Sequence, residues 1–279
     1  MKKSLPKITV HCLVCNEERW IWYALMSVLD FVDEVMVWDD SSQDHTAQII
    51  KSIESPKIKY RLVSSLTAQG HTQLRQQMLD ETESDWILIL DGDEVWWRES
   101  ISALIKYIYK NQNLACVVSP FYNAVGDVYH YQDPKKSQYK ILDYIGPYNI
   151  RAINMKLPGL HMGPNPHGRQ EYQDESGSPL QQLSVNQIGY VDKPYFHLTH
   201  LRRSSNSNMD KQTLKRGFKY RYEFGYSLEN QPEVFYLPRP KIVPDPWVKR
   251  DLGYLINAAW QTPARTFKKI LFPKKQHGY

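Results

Sequence analysis

Asp91 and Asp93 stand two residues apart, directly after the apolar run Trp86-Ile-Leu-Ile-Leu90. Residues two apart on an extended chain project to the same side, so both carboxylates can face one divalent cation where the strand ends. With no Lys or Arg nearby in the sequence to neutralise it, such a pair repels itself unless a cation intervenes. Bound Mg²⁺ or Mn²⁺ is the simplest chemical reading, and a solvated turn is the plainer one for so short a pattern. A second acidic corner, Asp39-Asp40-Ser41-Ser42-Gln43-Asp44-His45-Thr46, ends another apolar stretch. Ser42 or Asp44 could equally cap a helix beginning near Thr46. Two acidic strand ends in one sheet imply one cleft. A third cluster, Phe196-His197-Leu198-Thr199-His200-Leu201-Arg202-Arg203-Ser204, joins two imidazoles suited to a metal with two guanidiniums suited to phosphate. Cys12 and Cys15 beside His11 do not add a zinc or redox site, because a spacing of three on a strand sends the sulfurs to opposite faces.

These side chains need a frame. Ile8 to Val14 has the length and β-branched content of a buried strand, and Asn16 reads as a helix N-cap with Glu17 and Glu18 in the first turn. Further strands are expected over Glu34 to Trp38, Ile58 to Val63, Trp86 to Leu90 and Leu114 to Phe121, with helices over Thr46 to Ile53, Thr72 to Glu81 and Ser100 to Lys110. The repeated β-α order predicts a mostly parallel sheet with helices on both faces, whose ligands gather at the carboxyl ends of the strands. After residue 121 Tyr, Asn, Gly, Pro and His accumulate, and residues 158–179 hold four prolines and four glycines, the signature of long functional loops. The tail from 239 to 279 carries nine Lys or Arg against two Asp, interleaved with aromatic and aliphatic residues. Either it packs on the domain with solvated lysines or it lies on an anionic membrane.

The chain has 279 residues, 42% of them hydrophobic and 23% charged, enough for one large domain or one domain with an appendage. Its net charge of +5 permits an anionic ligand or membrane surface without calling for nucleic acid. Three cysteines make no disulfide framework and suit a reducing, cytoplasmic compartment. The start is read as a first strand rather than a signal peptide, and no window approaches the length of an apolar membrane span.

Residues 7 to 125 resemble, in order, glycosyltransferase family 2 with its GT-A fold. The first strand leads to Asn16-Glu17, the second to the Asp39-Asp40 turn with Ser41 and His45 in place of the family's glycines, Gly70 through Gln76 opens a helix bearing Arg75, and Asp91-Gly92-Asp93 matches the family's metal-binding D-x-D. The resemblance implies a Rossmann-like α/β sheet flanked by helices. Residues 1–125 would form the nucleotide-sugar-binding half, 126–238 a loop-rich acceptor-binding half, and 239–279 a basic aromatic helical appendage. It further implies that Asp39 binds the nucleotide base, that Arg75 helps hold the nucleotide with Asn16, Glu17 and Asp40 at the same corner, and that Asp93, with Asp91, binds the metal bridging the diphosphate. His197, ahead of His200, would complete the metal's ligands.

The activity implied is transfer of a sugar, with UDP-sugar favoured as donor, to a cell-envelope polysaccharide or lipid-linked oligosaccharide. The enzyme would work in the cytoplasm or on the inner membrane face. An inverting member needs a carboxylate to deprotonate the acceptor hydroxyl, and Glu171 is chosen over Asp174, Glu175 and Asp192. Two alternatives stand beside this reading. One is a haloacid-dehalogenase-like phosphatase with Asp91 as nucleophile, against which the early position of Asp39 and Asp40 argues. The other is a sugar-nucleotide-binding module without turnover.

Overall fold

Seven consecutive residues, Ile8–Val14, are all buried, as a strand covered on both faces requires. The computed structural model describes residues 5–65, 67–137, 139–205, 220–271 and 276–277. It makes Ile8–Val14 strand β1, followed by α1 (Ile21–Val28), β2 (Glu34–Asp40), α2 (Thr46–Lys51), β3 (Ile58–Val63), α3 (Ala68–Asp80), β4 (Trp86–Ile89), β5 (Glu94–Trp96), α4 (Arg98–Lys110) and β6 (Cys116–Asn123). Then come β7 (His130–Tyr131), β8 (Tyr139–Ile141), β9 (Tyr144–Gly146), β10 (Tyr148–Asn154), β11 (His161–Met162), β12 (Tyr172–Gln173), β13 (Ile188–Tyr190) and β14 (Tyr195–His197), and a C-terminal helix spans Leu252–Leu271.

Among the described residues one nine-stranded sheet runs β3-β2-β1-β4-β10-β6-β14-β5, with β13 also on β6. The pairs β1–β2, β1–β4, β2–β3, β6–β13 and β6–β14 are parallel, and β4–β10, β6–β10 and β5–β14 are antiparallel. Strands from both sides of residue 125 therefore share one sheet. Side chains alternate across it: Trp86, Leu88 and Leu90 join the core under α1 and α4, whereas Ile87 and Ile89 join Leu79 of α3 and Tyr172 on the other face. Burying each such large apolar side chain contributes about 1.5–3 kcal/mol, which makes this double-sided packing the main support of the frame.

Strand order reverses between β1 and β4. A crevice opens at such a switch point, outside the carboxyl ends of the strands, and the residues that follow β1 and β4 are Cys15-Asn16-Glu17 and Leu90-Asp91-Gly92-Asp93. One local irregularity matters for the site. The register of β10 against β6 shifts between Ile150 and Ala152, so Arg151 is the extra residue of a bulge, a device that re-aims a side chain.

Candidate functional site

Asn16 adopts φ 53° and Ser41 φ 59°, a left-handed conformation that Asn tolerates better than most residues. The Asn16 amide donates to Ser42 Oγ at 2.7 Å, the Gln43 amide donates to Asn16 Oδ1 at 2.8 Å, and the Glu17 amide donates to Thr46 Oγ1 at 2.8 Å. These bonds stitch the turn after β1 to the acidic turn after β2. The expectation that Asn16 caps α1 is corrected: the helix begins at Ile21 with Trp20 in the N-cap position, because Asn16 is turned toward the neighbouring loop instead. Ser41 stands where the family has glycine and takes the left-handed conformation nonetheless, with its hydroxyl donating to the Val63 carbonyl at 2.9 Å.

Asp39 is fully buried, and its carboxylate accepts from the Ser42 amide at 2.9 Å and the Tyr60 hydroxyl at 3.2 Å. Asp40 accepts from the Ser65 amide at 2.7 Å and hydroxyl at 2.5 Å, anchoring the approach to α3. That helix is capped by the Thr67 side chain, which accepts from the Gly70 amide, and it presents Arg75 from its buried face.

Gly92 fits tightly beneath the first turn. A Cβ there would lie 2.8 Å from Glu17 Cγ and 2.9 Å from Val14 Cγ1. Arg75 Nη2 lies 3.1 Å from Asp91 Oδ1. Asp93 is only 1% exposed, and its Oδ2 sits 2.9 Å from Arg203 Nη2 and 3.6 Å from His197 Nε2. Arg203 also pairs with Glu17 at 2.9 Å and donates to Thr199 Oγ1 at 3.0 Å. Burial works against the Arg203 charge, and Asp93 and Glu17 more than offset it. The acidic pair thus has basic neighbours after all: Arg75 and Arg203 come from distant segments, and the repulsion inferred from the local sequence is relieved by the fold.

His197 is placed by pairing of β14 with β5, which sets it opposite Glu94, and by the Leu198 amide donating to the Asp93 carbonyl at 2.8 Å. His200 lies beyond the strand and is half-buried. Glu171 is half-buried in the proline- and glycine-rich stretch, where Oε1 accepts from Asn165 at 3.2 Å and Gln173 at 3.1 Å. That stretch is laid on α3: the His167 amide donates to the Ala68 carbonyl, Thr72 donates to the Asn165 carbonyl, and the His71 and His167 rings stand 4.2 Å apart. Burial, with the nearby Arg75 charge, lowers His71 to about 3, so its imidazole is neutral at ordinary pH.

Sequence reasoning missed Glu94, Arg151 and Tyr195. Glu94 is fully buried, with Oε1 2.5 Å from Arg151 Nη2 and Oε2 accepting the Asp91 amide at 3.2 Å. Arg151 Nε donates to the Tyr195 hydroxyl at 2.8 Å, and the Tyr195 ring stacks on Trp96 with centroids 4.9 Å apart. Burial raises the Glu94 carboxyl, Arg151 lowers it and Asp91 and Asp93 raise it again, leaving it at about 8. An arginine inside the otherwise apolar run Ile150 to Ile153 was the available signal, since a buried guanidinium demands a carboxylate partner.

Among the described residues no group of three or more His, Cys, Asp or Glu side chains stands in metal-holding geometry. The chemistry of the donors nevertheless suits a hard divalent ion: a carboxylate and an imidazole 3.6 Å apart are beyond hydrogen-bond length and close enough for one ion to touch both. Asp91 is less deeply buried than Asp93 and acts electrostatically on the same Arg203.

The profile of "Glycosyl transferase family 2" matches residues 9–164, more than half of the chain. The SPbeta prophage-derived glycosyltransferase SunS of Bacillus subtilis (strain 168) is 30% identical over 123 residues, which are 43% of this chain and 28% of SunS. An uncharacterised glycosyltransferase of Rickettsia typhi is 31% identical over 109 residues, 39% of this chain and 35% of that protein. The likeness thus spans about a third or less of these relatives' own length. Among solved structures, S. aureus TarS 1-349 in complex with UDP-GlcNAc superposes with TM-score 0.51 at 17% identity, covering 75% of this chain and 62% of that one. S. aureus TarS gives TM-score 0.50 at 19% identity over 69% and 36%. At these identities the likeness is one of fold, the GT-A fold. The chain belongs to glycosyl transferase family 2.

Proposed function

We propose that the protein transfers a sugar from a nucleotide-diphospho-sugar to a saccharide or lipid-linked acceptor, with a divalent metal and inversion at the anomeric carbon. The observation that carries the reading is the meeting of Asn16-Glu17, Asp91-Gly92-Asp93, Arg203 and His197 at the switch point of a family 2 sheet. Mn²⁺ or Mg²⁺ would be held by Asp93 and His197 with Asp91, and when bound it supplies Lewis-acid stabilisation of negative charge on the departing diphosphate. Asp39, at the bottom of the stitched turn, offers its carboxylate to the base, with Tyr60 and Ser42 fixing its orientation. Arg75 holds Asp91 in place from beneath. Arg203 offsets the charge of Asp93 and Glu17 in a buried corner and adds positive charge where phosphate oxygens would arrive. Glu171, on the stretch that overlies α3, is the proposed base for the acceptor hydroxyl.

UDP-sugars are the favoured donors. A thermal-shift panel of UDP-, GDP-, CMP- and dTDP-sugars with Mn²⁺ tests this, since a ligand that selects the native state raises the melting point, by about 2.7 kcal/mol of stability at a hundredfold excess over Kd. Asp93→Ala is expected to retain the fold while losing turnover and the Mn²⁺-dependent part of the shift. Full activity in that variant would remove the site assignment. Release of phosphate from simple monoesters without nucleotide would favour the phosphatase alternative.

A further inference from the structure

From Leu252 to Pro263 the C-terminal helix, Leu252–Leu271, buries only the side that carries Tyr254 and Ala258. Asp251 caps it, its Oδ1 accepting the Tyr254 amide at 2.6 Å. Tyr254 and Ala258 turn inward: the Tyr254 hydroxyl accepts from the Glu223 amide at 3.0 Å and donates to the Arg221 carbonyl at 2.9 Å, and Ala258 is fully buried. The opposite face carries Leu252, Ile256 and Trp260 at successive steps of four, 73%, 57% and 80% exposed. Three large apolar side chains in one stripe are more than the scattered surface apolars that need no explanation. In the sequence Phe267, Ile270 and Leu271 continue the same three-to-four spacing.

The charged residues in the sequence of this helix have one sign. The helix contains Arg265, Lys268 and Lys269 and no Asp or Glu. Of the two acidic residues between 239 and 279, Asp251 is consumed by the cap and Asp245 is paired with Arg239 at 2.8 Å. Among the described residues no helix is long and apolar enough to cross a membrane. An amphipathic helix with a tryptophan in its apolar face and only basic charges has the composition of one that lies in a headgroup boundary, and lysines and arginines there are attracted to anionic lipid. A second copy of a chain with a net charge of +5 offers no such complement.

We propose that this helix rests in the plane of an anionic membrane surface, with Leu252, Ile256 and Trp260 entering the acyl boundary and the basic residues of the tail meeting lipid headgroups. Further along the chain, Gln276–His277 pair with β8. A surface-bound helix would thereby hold β8 close to the lipid. The inference rests on the tail alone and stands apart from the transferase reading.

Cosedimentation of the full chain with phosphatidylcholine vesicles, with and without phosphatidylglycerol, tests it. The wild type is expected to pellet with the phosphatidylglycerol vesicles and to be released by raised salt. Ile256→Glu and Trp260→Glu are each expected to weaken partitioning at least about tenfold, with an unchanged melting point because both positions are exposed. Equal pelleting on neutral vesicles, or variants that pellet like the wild type, would overturn the proposal. So would an absence of vesicle binding combined with a dimer in solution that Trp260→Glu dissociates, which would assign the face to a second copy.

Discussion

Glu94 carries a carboxylate into a site without solvent and holds the Asp91 amide with one oxygen and Arg151 with the other. Its folded-state value of about 8 lies above the ordinary 4.5, so the native state binds the extra proton. Its proton-linked contribution to stability is present in full below about 4.5 and is lost as the pH climbs through about 8. The melting point of the wild type is expected to fall over that window, and Glu94→Gln should flatten the fall in scanning calorimetry across the same pH range. Glu18 runs the other way. Burial raises it, but the bonds from Ser205 and His45 outweigh that and bring it to about 2. Its contribution is therefore present above about 4.5 and lost as the pH drops toward 2. At this scale the sequence was legible where chemistry is local. The D-x-D and the Asp39 turn are contiguous, whereas Glu17 and Arg203 are 186 positions apart, and no spacing rule joins residues that only the fold brings together.

The first strands were readable because each is a short apolar or β-branched run between turns: β1 and β3 fall where those runs placed them, and β2 extends two residues further, through Asp40. Strands β5, β10 and β14 were not. β5 and β14 are three residues long, too short for alternation to register, and β10 hides a charged residue at a bulge that breaks any pattern of two. These unforeseen strands are the ones that set Glu94, Arg151, Tyr195 and His197. The close fit of the D-x-D turn under β1 belongs to this scale as well. Gly92→Ala is expected to displace Glu17 or Val14, cost about 1–3 kcal/mol, and weaken Mn²⁺-dependent donor binding. Chemical denaturation together with titration of the nucleotide checks both effects.

Across the whole molecule, the stretch after β14 is strapped back onto the first β-α turn. The Arg19 amide donates to the Arg203 carbonyl at 3.0 Å, Trp20 Nε1 donates to the Arg202 carbonyl at 2.8 Å, and the Ser205 amide donates to Glu18. Arg203 is the charged pin of that strap. Arg203→Gln leaves buried Glu17 and Asp93 without their counter-charge, a loss of about 3–5 kcal/mol for a broken buried pair. Hydrogen exchange is expected to quicken at the Arg19 amide and along residues 198–205, while β2 and β3, remote from the pin, keep their protection.

The placement of β10 between β4 and β6 bears on how new specificities could be grafted onto this scaffold. Splitting the chain near residue 125 to build a chimera would remove β10 from the edge of β4 and take all three partners of β6, namely β10, β13 and β14, leaving open strands that invite aggregation. In strand pairing the stretch of residues 158–179 contributes the two-residue ladder of β11 and β12 and the Gln173–Pro179 bridge, and none of the strands of the main sheet. Exchange there would alter what lies over α3 without opening the interior strands.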